Sequence, residues 1–253
     1  MRFFVGLHQP HVAGNFDAAF ISVNAIRNRK SFFPAKDWIM DSGAFSTILK
    51  HGHYPDSPAV YAEQIRRFKS CGNLLAAVAQ DYMCEADMLK RTGLTVADHQ
   101  RLTIERYDAL LAEDTGVYIM PVLQGYASRD YVDHIRQYGD RLKPGMWVGV
   151  GSVCKRNSNP MAIWKVLDAI KYERPDLRLH GFGVKKTSLE VTLIRDMLYT
   201  ADSMAWSFAA RKEGRNPNDW REAKAFVQDI AERIERSLRP IPQIPLWSSV
   251  CAY

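Results

Sequence analysis

Two aspartates carry the clearest chemical signal in this chain of 253 residues. Asp41 directly follows the apolar run Trp38–Met40, and Asp202 comes shortly after Met197–Tyr199. Each is therefore predicted at the carboxyl end of a short buried strand, the edge at which parallel α/β barrels place their chemistry. Two carboxylates at one mouth can divide the roles of nucleophile and general acid/base, which points to cleavage at the anomeric carbon of a sugar.

Short apolar runs recur along the chain and alternate with segments of helical periodicity. The predicted strands are Arg2–Gly6, Ala18–Val23, Trp38–Met40, Leu75–Gln80, Val117–Leu123, Met146–Val150, Leu177–Gly183 and Leu198–Ala201. The predicted helices are Pro58–Ser70, Val96–Ala112, Arg129–Tyr138, Pro160–Tyr172, Ser188–Asp196 and Pro217–Leu238. Strands that alternate with helices indicate parallel βα units, and eight strands in a chain of this length predict a single (β/α)₈ barrel of the TIM type.

Local signals place the ends of three helices and one long loop. A polar residue precedes proline at Ser57-Pro58, Asn159-Pro160 and Asn216-Pro217, the pattern of an N-cap followed by the first helical residue. The segment Gly43–Pro58 is predicted as a loop over the barrel mouth, and loops of that length are often functional. We predict one barrel domain over residues 1–253, in which Arg239–Tyr253 forms an irregular C-terminal tail.

Composition narrows the class of protein. With 47% hydrophobic and 25% charged residues the chain can fill one large core, and no run approaches the ~18 apolar residues of a membrane span. The apolar run at the N-terminus is too short for a signal peptide, and no small-residue cleavage site follows it. These features predict a cytoplasmic protein without a membrane partner.

The net charge of +6 permits a polyanionic partner, but it fits a soluble basic protein equally well. Basic residues cluster after three predicted strands, which places them at the same barrel edge as the two aspartates. These clusters are Lys155 and Arg156, Lys185 and Lys186, and Arg211, Lys212 and Arg215, and a further cluster is Arg27, Arg29 and Lys30. They are candidates for phosphate contacts, with an ordinary solvated surface as the alternative.

The cysteines give no sign of a metal site. Cys71, Cys84, Cys154 and Cys251 form no Cys-x-x-Cys pair and no Cys/His group with zinc-finger spacing. They are predicted as reduced, partly buried side chains. We therefore predict no metal and no cofactor.

Six motifs at the strand ends resemble the tRNA-guanine transglycosylase superfamily. Asp41-Ser42-Gly43-Ala44-Phe45 is similar to that family's Asp-Ser-Gly-Gly-Phe motif. Asp202–Trp206, with Ala210-Arg211 behind it, resembles the archaeal run Asp-Ser-Ala-Ala-Tyr that ends in Ala-Arg. The other four are Gln80-Asp81, Leu123–Gly125, the Gly-rich turn Val148–Ser152 and the archaeal-like strand Leu179–Gly183. The resemblance extends from about Met1 to Arg215, and the six motifs in this order are far more specific than any one alone.

The resemblance implies a role for each of these residues. It makes Asp202 the nucleophile that attacks C1′ of the target nucleotide. It makes Asp41 the general acid/base that protonates the leaving guanine and later deprotonates the incoming base. The implied base-binding residues are Ser42, Phe45, Asp81, Gln124, Gly149 and Gly151.

The hydrogen-bonding groups of guanine match these residue types. The carboxylate of Asp81 suits the N1–H and N2–H donors. The amide of Gln124 suits the O6 acceptor, and so do the backbone N–H groups of Gly149 and Gly151. An aromatic side chain, from Tyr82, Phe45 or Trp206, is expected to stack on the flipped-out base.

Two departures from the tRNA-acting enzymes favour DNA as the substrate. Those enzymes hold a structural zinc with three Cys and one His near the C-terminus, whereas Cys251 is the only cysteine here beyond Cys154. The chain is also shorter and lacks their RNA-binding domain. It is most similar to the compact zinc-free transglycosylases of phages and bacteria, which exchange guanine in DNA for a preQ0-type base. Lys155 stands near the position of a glutamate that contacts the deazaguanine substituent in bacterial tRNA enzymes, and a cation there suits a neutral nitrile or an acidic group.

The sequence thus predicts a guanine transglycosylase that places a 7-deazaguanine in DNA through a covalent aspartyl–sugar intermediate. DNA and the free 7-deazaguanine base are the expected partners, in the host cytoplasm if a phage encodes the protein. The sequence does not decide whether an accessory protein must separate the strands of the duplex. The residues expected to hold phosphates are Lys185, Lys186, Arg211, Lys212 and Arg215.

Three alternatives stay open on the sequence alone. The first is a tRNA-guanine transglycosylase of the same chemistry, and the second a non-catalytic nucleic-acid-binding partner subunit. The third is an unrelated barrel lyase or hydrolase that acts on a small phosphorylated sugar. Taken singly, Asp41 is an ordinary turn former and Asp202 an ordinary helix cap, so the functional interpretation depends on the motifs occurring together.

Overall fold

The strands of the barrel are short and all parallel. In the computed structural model, which describes residues 1–156 and 159–238, they are Arg2–Leu7 (β1), Ala18–Ser22 (β2), Asp37–Asp41 (β3), Asn73–Val78 (β4), Ile119–Met120 (β5), Val122–Leu123 (β6), Trp147–Val150 (β7), Arg178–Gly181 (β8) and Leu198–Ser203 (β9). They hydrogen-bond in the order β5-β4-β3-β2-β1-β9-β8-β7-β6. This nearly closed sheet with flanking helices confirms the predicted α/β barrel. The predicted tail, Arg239–Tyr253, lies outside the described residues.

Helices follow most strands, as βα units require. They are Val23–Ile26 (α1), Ala44–His51 (α2), Pro58–Phe68 (α3), Ala86–Thr92 (α4), Val96–Ala112 (α5), Ser128–Tyr138 (α6), Pro160–Glu173 (α7), Lys186–Leu189 (α8), Thr192–Met197 (α9), Ala205–Lys212 (α10) and Trp220–Leu238 (α11). Across residues 1–156 and 159–238, no helix is both long enough and apolar enough to cross a bilayer.

The barrel closes at the predicted strand Val117–Leu123, which divides into β5 and β6. Proline has no N–H to give to a strand ladder, so Pro121 interrupts the pairing. The segment still joins both edges of the sheet. Ala79 N–H donates to the carbonyl of Met120 at 2.9 Å, and Gly149 N–H donates to that of Pro121 at 2.8 Å. This break explains why nine short strands stand where eight were predicted.

Side chains alternate between the barrel interior and the layer beneath the helices, as the two-residue period of a strand requires. Successive residues such as Ile39 and Met40 belong to different apolar clusters, Met40 to the larger one that packs against the helices. The smaller cluster is buried inside the barrel and consists of Phe4, Ala18, Ile39, Ala76, Val78, Met120 and Val122. A residue two positions beyond an interior side chain therefore faces the same way, at the carboxyl mouth.

The segment predicted as a loop over the mouth contains a helix. Residues Ala44–His51 form α2, which ends at Gly52 in the left-handed conformation with φ 76°. A glycine of this kind is a common helix C-cap, so Gly52 was a usable stop signal. The three helices α1, α4 and α10 had no prediction, and α1 begins at Val23, the last residue of the predicted strand Ala18–Val23.

Two predicted helices have different bounds. The segment Ser188–Asp196 divides into α8 and α9 because Val191 between them is extended, with φ −76° and ψ 109°. The last helix begins at Trp220 and not at the preceding proline. The side chain of Asn216 accepts a hydrogen bond from Asn218 N–H at 2.9 Å, which holds this stretch in a turn.

The other two predicted N-caps have different outcomes. The Asn159 side chain accepts a hydrogen bond from Ala162 N–H at 3.2 Å and caps α7 as expected. Ser57 precedes α3 in an extended conformation, but its side chain makes no capping bond.

Candidate active site

Three strands pass from the apolar interior to polar side chains at the barrel mouth. Asp41 lies two residues beyond Ile39, and Gln124 lies two residues beyond Val122. Asp202 takes the equivalent place near the end of β9. Because alternation keeps these positions on the interior face, the barrel brings their side chains to one mouth.

A cavity of about 330 Å³ lies at this mouth. This volume is within the range of small-molecule sites. Of the predicted residues, it is lined by Asp41, Phe45, Asp81, Gln124, Gly151 and Asp202. Further lining residues include Phe20, Ser22, Met83, Glu85, Ser152, Cys154, Phe182 and Met204.

Asp202 is held by a chain of hydrogen bonds that sequence reasoning did not assign. Its Oδ1 accepts the backbone N–H of Gly183 at 3.0 Å and lies 3.3 Å from Nε2 of His180. The His180 Nδ1 lies 2.8 Å from the hydroxyl of Thr200, which accepts the indole N–H of Trp147 at 2.7 Å. Since an ionised carboxylate only accepts, the Nε2–H tautomer of His180 satisfies every member of this chain. In the sequence, His180 was identified only as part of the motif Leu179–Gly183. In the structure it is a positioning residue for Asp202.

Asp41 has the electrostatics of a general acid. Desolvation in the cavity, together with the nearby charge of Asp202, raises the pKa of Asp41 to about 6. The backbone N–H of Gly43, 3.1 Å from Oδ2, opposes that rise. A carboxyl that titrates close to neutral pH can both give and take a proton.

Asp81 lies buried between two side chains that hold its oxygens. Its Oδ2 accepts a short hydrogen bond from Nε2 of Gln124, and its Oδ1 lies 3.4 Å from the hydroxyl of Ser42. Burial, with the charge of Asp41 nearby, raises the pKa of Asp81 to about 7. The other end of the amide is held as well, because Oε1 of Gln124 accepts the hydroxyl of Ser152 at 3.0 Å.

The two glycines predicted to bind the base through their N–H groups do not offer them. Gly149 N–H donates to the Pro121 carbonyl at 2.8 Å and Gly151 N–H donates to the Leu123 carbonyl at 2.9 Å. Gly149 is also absent from the cavity lining, and a Cβ there would overlap the ring of Phe182. The prediction was wrong on this point because closure of the barrel uses both amides in strand pairing.

The two residues that follow Gly151 have backbone N–H groups without a protein acceptor in the described part of the chain. Ser152 has φ 58°, which is rare outside glycine and often marks a functional turn. In residues 1–156 and 159–238, neither its N–H nor that of Val153 donates to a protein acceptor. A Cβ on Gly151 would overlap the side chain of Gln124, so glycine is what lets the turn approach so closely.

One of the three aromatic candidates lies at the cavity. The Phe45 side chain lines it and is 46% exposed, with Nζ of Lys155 5.3 Å from the ring centroid. Trp206 is instead buried, and its indole N–H donates to Gly6 at 2.8 Å. Tyr82 packs edge-on against Tyr54, away from the cavity lining. Phe45 is therefore the one predicted aromatic placed to meet a bound base.

Two of the predicted phosphate ligands are already paired. Lys186 Nζ lies 2.6 Å from Asp229, and Arg215 forms ion pairs with Glu213 and Glu222. Arg211 and Lys212 are exposed and take part in no ion pair within the part of the chain that the structure describes. Lys185, at the start of α8, is exposed as well.

No group of three or more His, Cys, Asp or Glu side chains within residues 1–156 and 159–238 is arranged to hold a metal ion. Cys71 and Cys84 are buried free thiols and Cys154 is half-buried at the cavity, whereas Cys251 lies outside the described residues. Burial raises the pKa of the Cys154 thiol to about 11.

Comparison with known proteins shows the family of the chain. No curated protein matches the chain. Residues 1–239 match the family model of DpdA, described as DeoxyPurine in DNA protein A. Because this match covers nearly the whole chain, the chain belongs to the DpdA family of tRNA-guanine transglycosylase-like DNA modification proteins.

Proposed function

We propose that this protein exchanges guanine in DNA for a preQ0-type 7-deazaguanine base through a covalent aspartyl–sugar intermediate. The observation that carries the proposal is the placement of Asp41 and Asp202 at one cavity, where burial raises the pKa of Asp41 to about 6. A base exchange at one carbon needs one carboxylate that attacks and a second that moves a proton.

Asp202 is the proposed nucleophile. Its Oδ1 is occupied by Gly183 N–H and His180, while Oδ2 accepts no hydrogen bond within the described residues. Oδ2 is therefore the atom that attacks C1′ as the bond from C1′ to N9 of guanine breaks. Asp41 gives its proton to the departing guanine.

The second displacement reverses the first. N9 of the incoming base attacks C1′, the ester bond to Asp202 breaks, and Asp41 takes the N9 proton. Two displacements at one carbon retain its configuration.

The guanine edge fits the wall of the cavity. Asp81 accepts from N1–H and N2–H, while the side-chain amide of Gln124 donates to O6. The present hydrogen bond between Asp81 and Gln124 is then exchanged for bonds to the base, and Phe45 stacks against it.

DNA is the proposed polymer because the family description names deoxypurines in DNA. Lys155, with its cation near the Phe45 ring, is proposed to favour a base that bears a neutral or acidic substituent over one with an aminomethyl group. Binding of nitrile and aminomethyl bases tests this, and tighter binding of the aminomethyl base would reject it.

Base exchange with radiolabelled guanine tests the function. The purified protein is offered duplex DNA, single-stranded DNA and bulk tRNA, with Asp202→Ala as the control. Label that enters DNA, and is lost in Asp202→Ala, is the expected result. Label that enters tRNA alone would move the substrate to RNA, and label retained by Asp202→Ala would overturn the mechanism.

A further inference from the structure

A buried carboxyl in the cavity wall has no role in the chemistry described so far. Glu85 is only 5% exposed and lines the cavity. Its Oε2 is shielded from solvent and has no hydrogen-bond partner. Of the buried side-chain atoms without a partner in residues 1–156 and 159–238, it alone belongs to a residue of this cavity. A polar atom left unpaired in this way costs stability, so a ligand that pairs it gains affinity.

Glu85 is not explained by the local fold. It directly precedes the helix α4, where a side chain would ordinarily cap the first turn. Its side chain makes no capping bond. No salt bridge pairs its carboxylate with a cation within the described ranges.

The polar groups of the cavity wall follow an order. Ser42 contacts Asp81, Asp81 contacts Gln124, and Gln124 contacts Ser152. Glu85 comes next, close enough to Ser152 for that hydroxyl to influence the pKa of its carboxyl. The edge of a guanine-type base has a matching order: N2 and N1, then O6, then position 7. With Asp81 at N1 and N2 and Gln124 at O6, Glu85 falls beside position 7.

We propose that Glu85 determines which 7-deazaguanine is accepted, because its carboxyl, with Oε2 unpaired in the cavity wall, donates a hydrogen bond to an uncharged acceptor at position 7, such as a nitrile. The inference rests on the proposed function, since it names a substrate feature for that same cavity. Guanine itself has a ring nitrogen acceptor at this position, whereas unsubstituted 7-deazaguanine has only a C–H.

The surroundings of Glu85 favour the neutral form and an uncharged ligand. Burial raises the pKa of Glu85, although its own backbone N–H, the Ser152 hydroxyl and the positive charges of Lys155 and Arg156 oppose the rise. The same two cations disfavour an ammonium group on the base. The titratable or charged groups around Glu85 are Asp81, Cys84, Tyr131, Cys154, Lys155 and Arg156.

Calorimetric binding of free bases tests the proposal without any exchange reaction. The bases are 7-cyano-7-deazaguanine, 7-aminomethyl-7-deazaguanine and unsubstituted 7-deazaguanine. The wild-type protein should bind the cyano base about tenfold more tightly than the unsubstituted one, the worth of one hydrogen bond. Glu85→Leu should lose that preference, and thermal unfolding shows whether this variant is folded.

Two further variants give the matched comparisons. Glu85→Gln keeps an N–H donor at every pH, so its preference for the cyano base should not change with pH. The wild-type preference should decline as rising pH ionises the carboxyl. The exposed Glu232→Gln on α11 should behave like wild type.

The outcomes separate this proposal from the function on which it rests. An unchanged preference in Glu85→Leu, or tightest binding of the aminomethyl base by wild type, overturns the role of Glu85 alone. The expected binding pattern without exchange of labelled guanine would support Glu85 and overturn the transglycosylase. A protein that binds none of the three bases would overturn both.

Discussion

Asp41 and Asp81 are neighbouring carboxyls whose pKa values lie far above those of exposed aspartates. The sequence identified both residues from their motifs, but it gave no access to burial and hence none to these shifts. The values of about 6 and about 7 arise from desolvation and from the charge of the neighbouring carboxylates. Each shift has a measurable consequence.

Asp81 should lower stability at neutral and alkaline pH. Its folded-state pKa of about 7 lies above the ordinary value of 3.8, so the stability that it contributes is present at acid pH. That contribution is lost as the pH rises from about 4 through about 7. Asp81→Asn should therefore be more stable than wild type at about pH 8, by up to a few kcal/mol, and similar at about pH 4. Urea unfolding at the two pH values measures this, and a less stable variant at about pH 8 would refute it.

Asp41 should set the alkaline side of the pH dependence of exchange. Only its protonated form can protonate the leaving guanine, so guanine release should slow as the pH rises above about 6. Asp41→Asn should lose about 10²- to 10⁴-fold in rate and no longer show this decline. Single-turnover release of labelled guanine across the pH range measures both. A decline that persists in Asp41→Asn must come from another group.

At the scale of elements, the helix α2 follows Asp41 at the mouth of the barrel after a two-residue turn. Its start at Gly43 has φ 71°, and a Cβ there would overlap the side chain of Asn24. The sequence predicted this stretch as a loop because α2 is short and begins at a glycine without a capping side chain. The position of Asp41 was predictable from the strand, whereas the helix that follows it was not.

Gly43→Ala should disturb both the helix and the site. The left-handed backbone and the overlap with Asn24 together should cost about 1–3 kcal/mol, measured by urea unfolding. Exchange should fall as well, because a shift of the backbone at this position would displace the N–H group that bonds to Asp41. The matched control is Gly52→Ala at the other end of α2, which has φ 76° but no such overlap. It should lose only ~1 kcal/mol and keep its exchange activity; equal effects of the two substitutions would contradict this account.

The hydrogen bonds of the glycine-rich turn Val148–Ser152 could not be predicted from the sequence. The sequence placed Gly149 and Gly151 at the base, but whether an N–H is available depends on the partner strand. Pro121 splits that partner, and its carbonyl takes one of the two amides. Hydrogen bonds between segments distant in the chain leave no local pattern. The sequence therefore could not show that the N–H of Ser152 is unpaired while those of the two glycines are not.

At the scale of the whole molecule, the barrel follows from periodicity and length, which fix the number of βα units and the edge at which chemistry occurs. Charge was harder to interpret, because a basic residue in the sequence does not show its partner. Lys186 and Arg215 are neutralised by two acidic side chains of α11 and by Glu213, which directly follows α10. Arg211 and Lys212, exposed at the end of α10, are better placed to meet phosphates.

Cations that already have an acidic partner should contribute less to the salt dependence of DNA binding than exposed cations that have none. Arg211→Ala and Lys212→Ala should each weaken binding and reduce the slope of log K against log salt by about one. Lys186→Ala should change the slope less and should instead lose the pairing with Asp229. Fluorescence anisotropy over a range of salt concentrations measures the slopes, and an equal change for Lys186→Ala would place that residue at the DNA.

The covalent step at Asp202 is the central claim, and intact-mass analysis tests it most directly. The protein is mixed with a guanine-containing DNA oligonucleotide, denatured rapidly and weighed, and the modified peptide is then sequenced. The account predicts an adduct of protein with DNA that has lost one guanine, attached through Asp202 and absent from Asp202→Asn. Base exchange that proceeds in Asp202→Asn, or an adduct attached to a different residue, would contradict it.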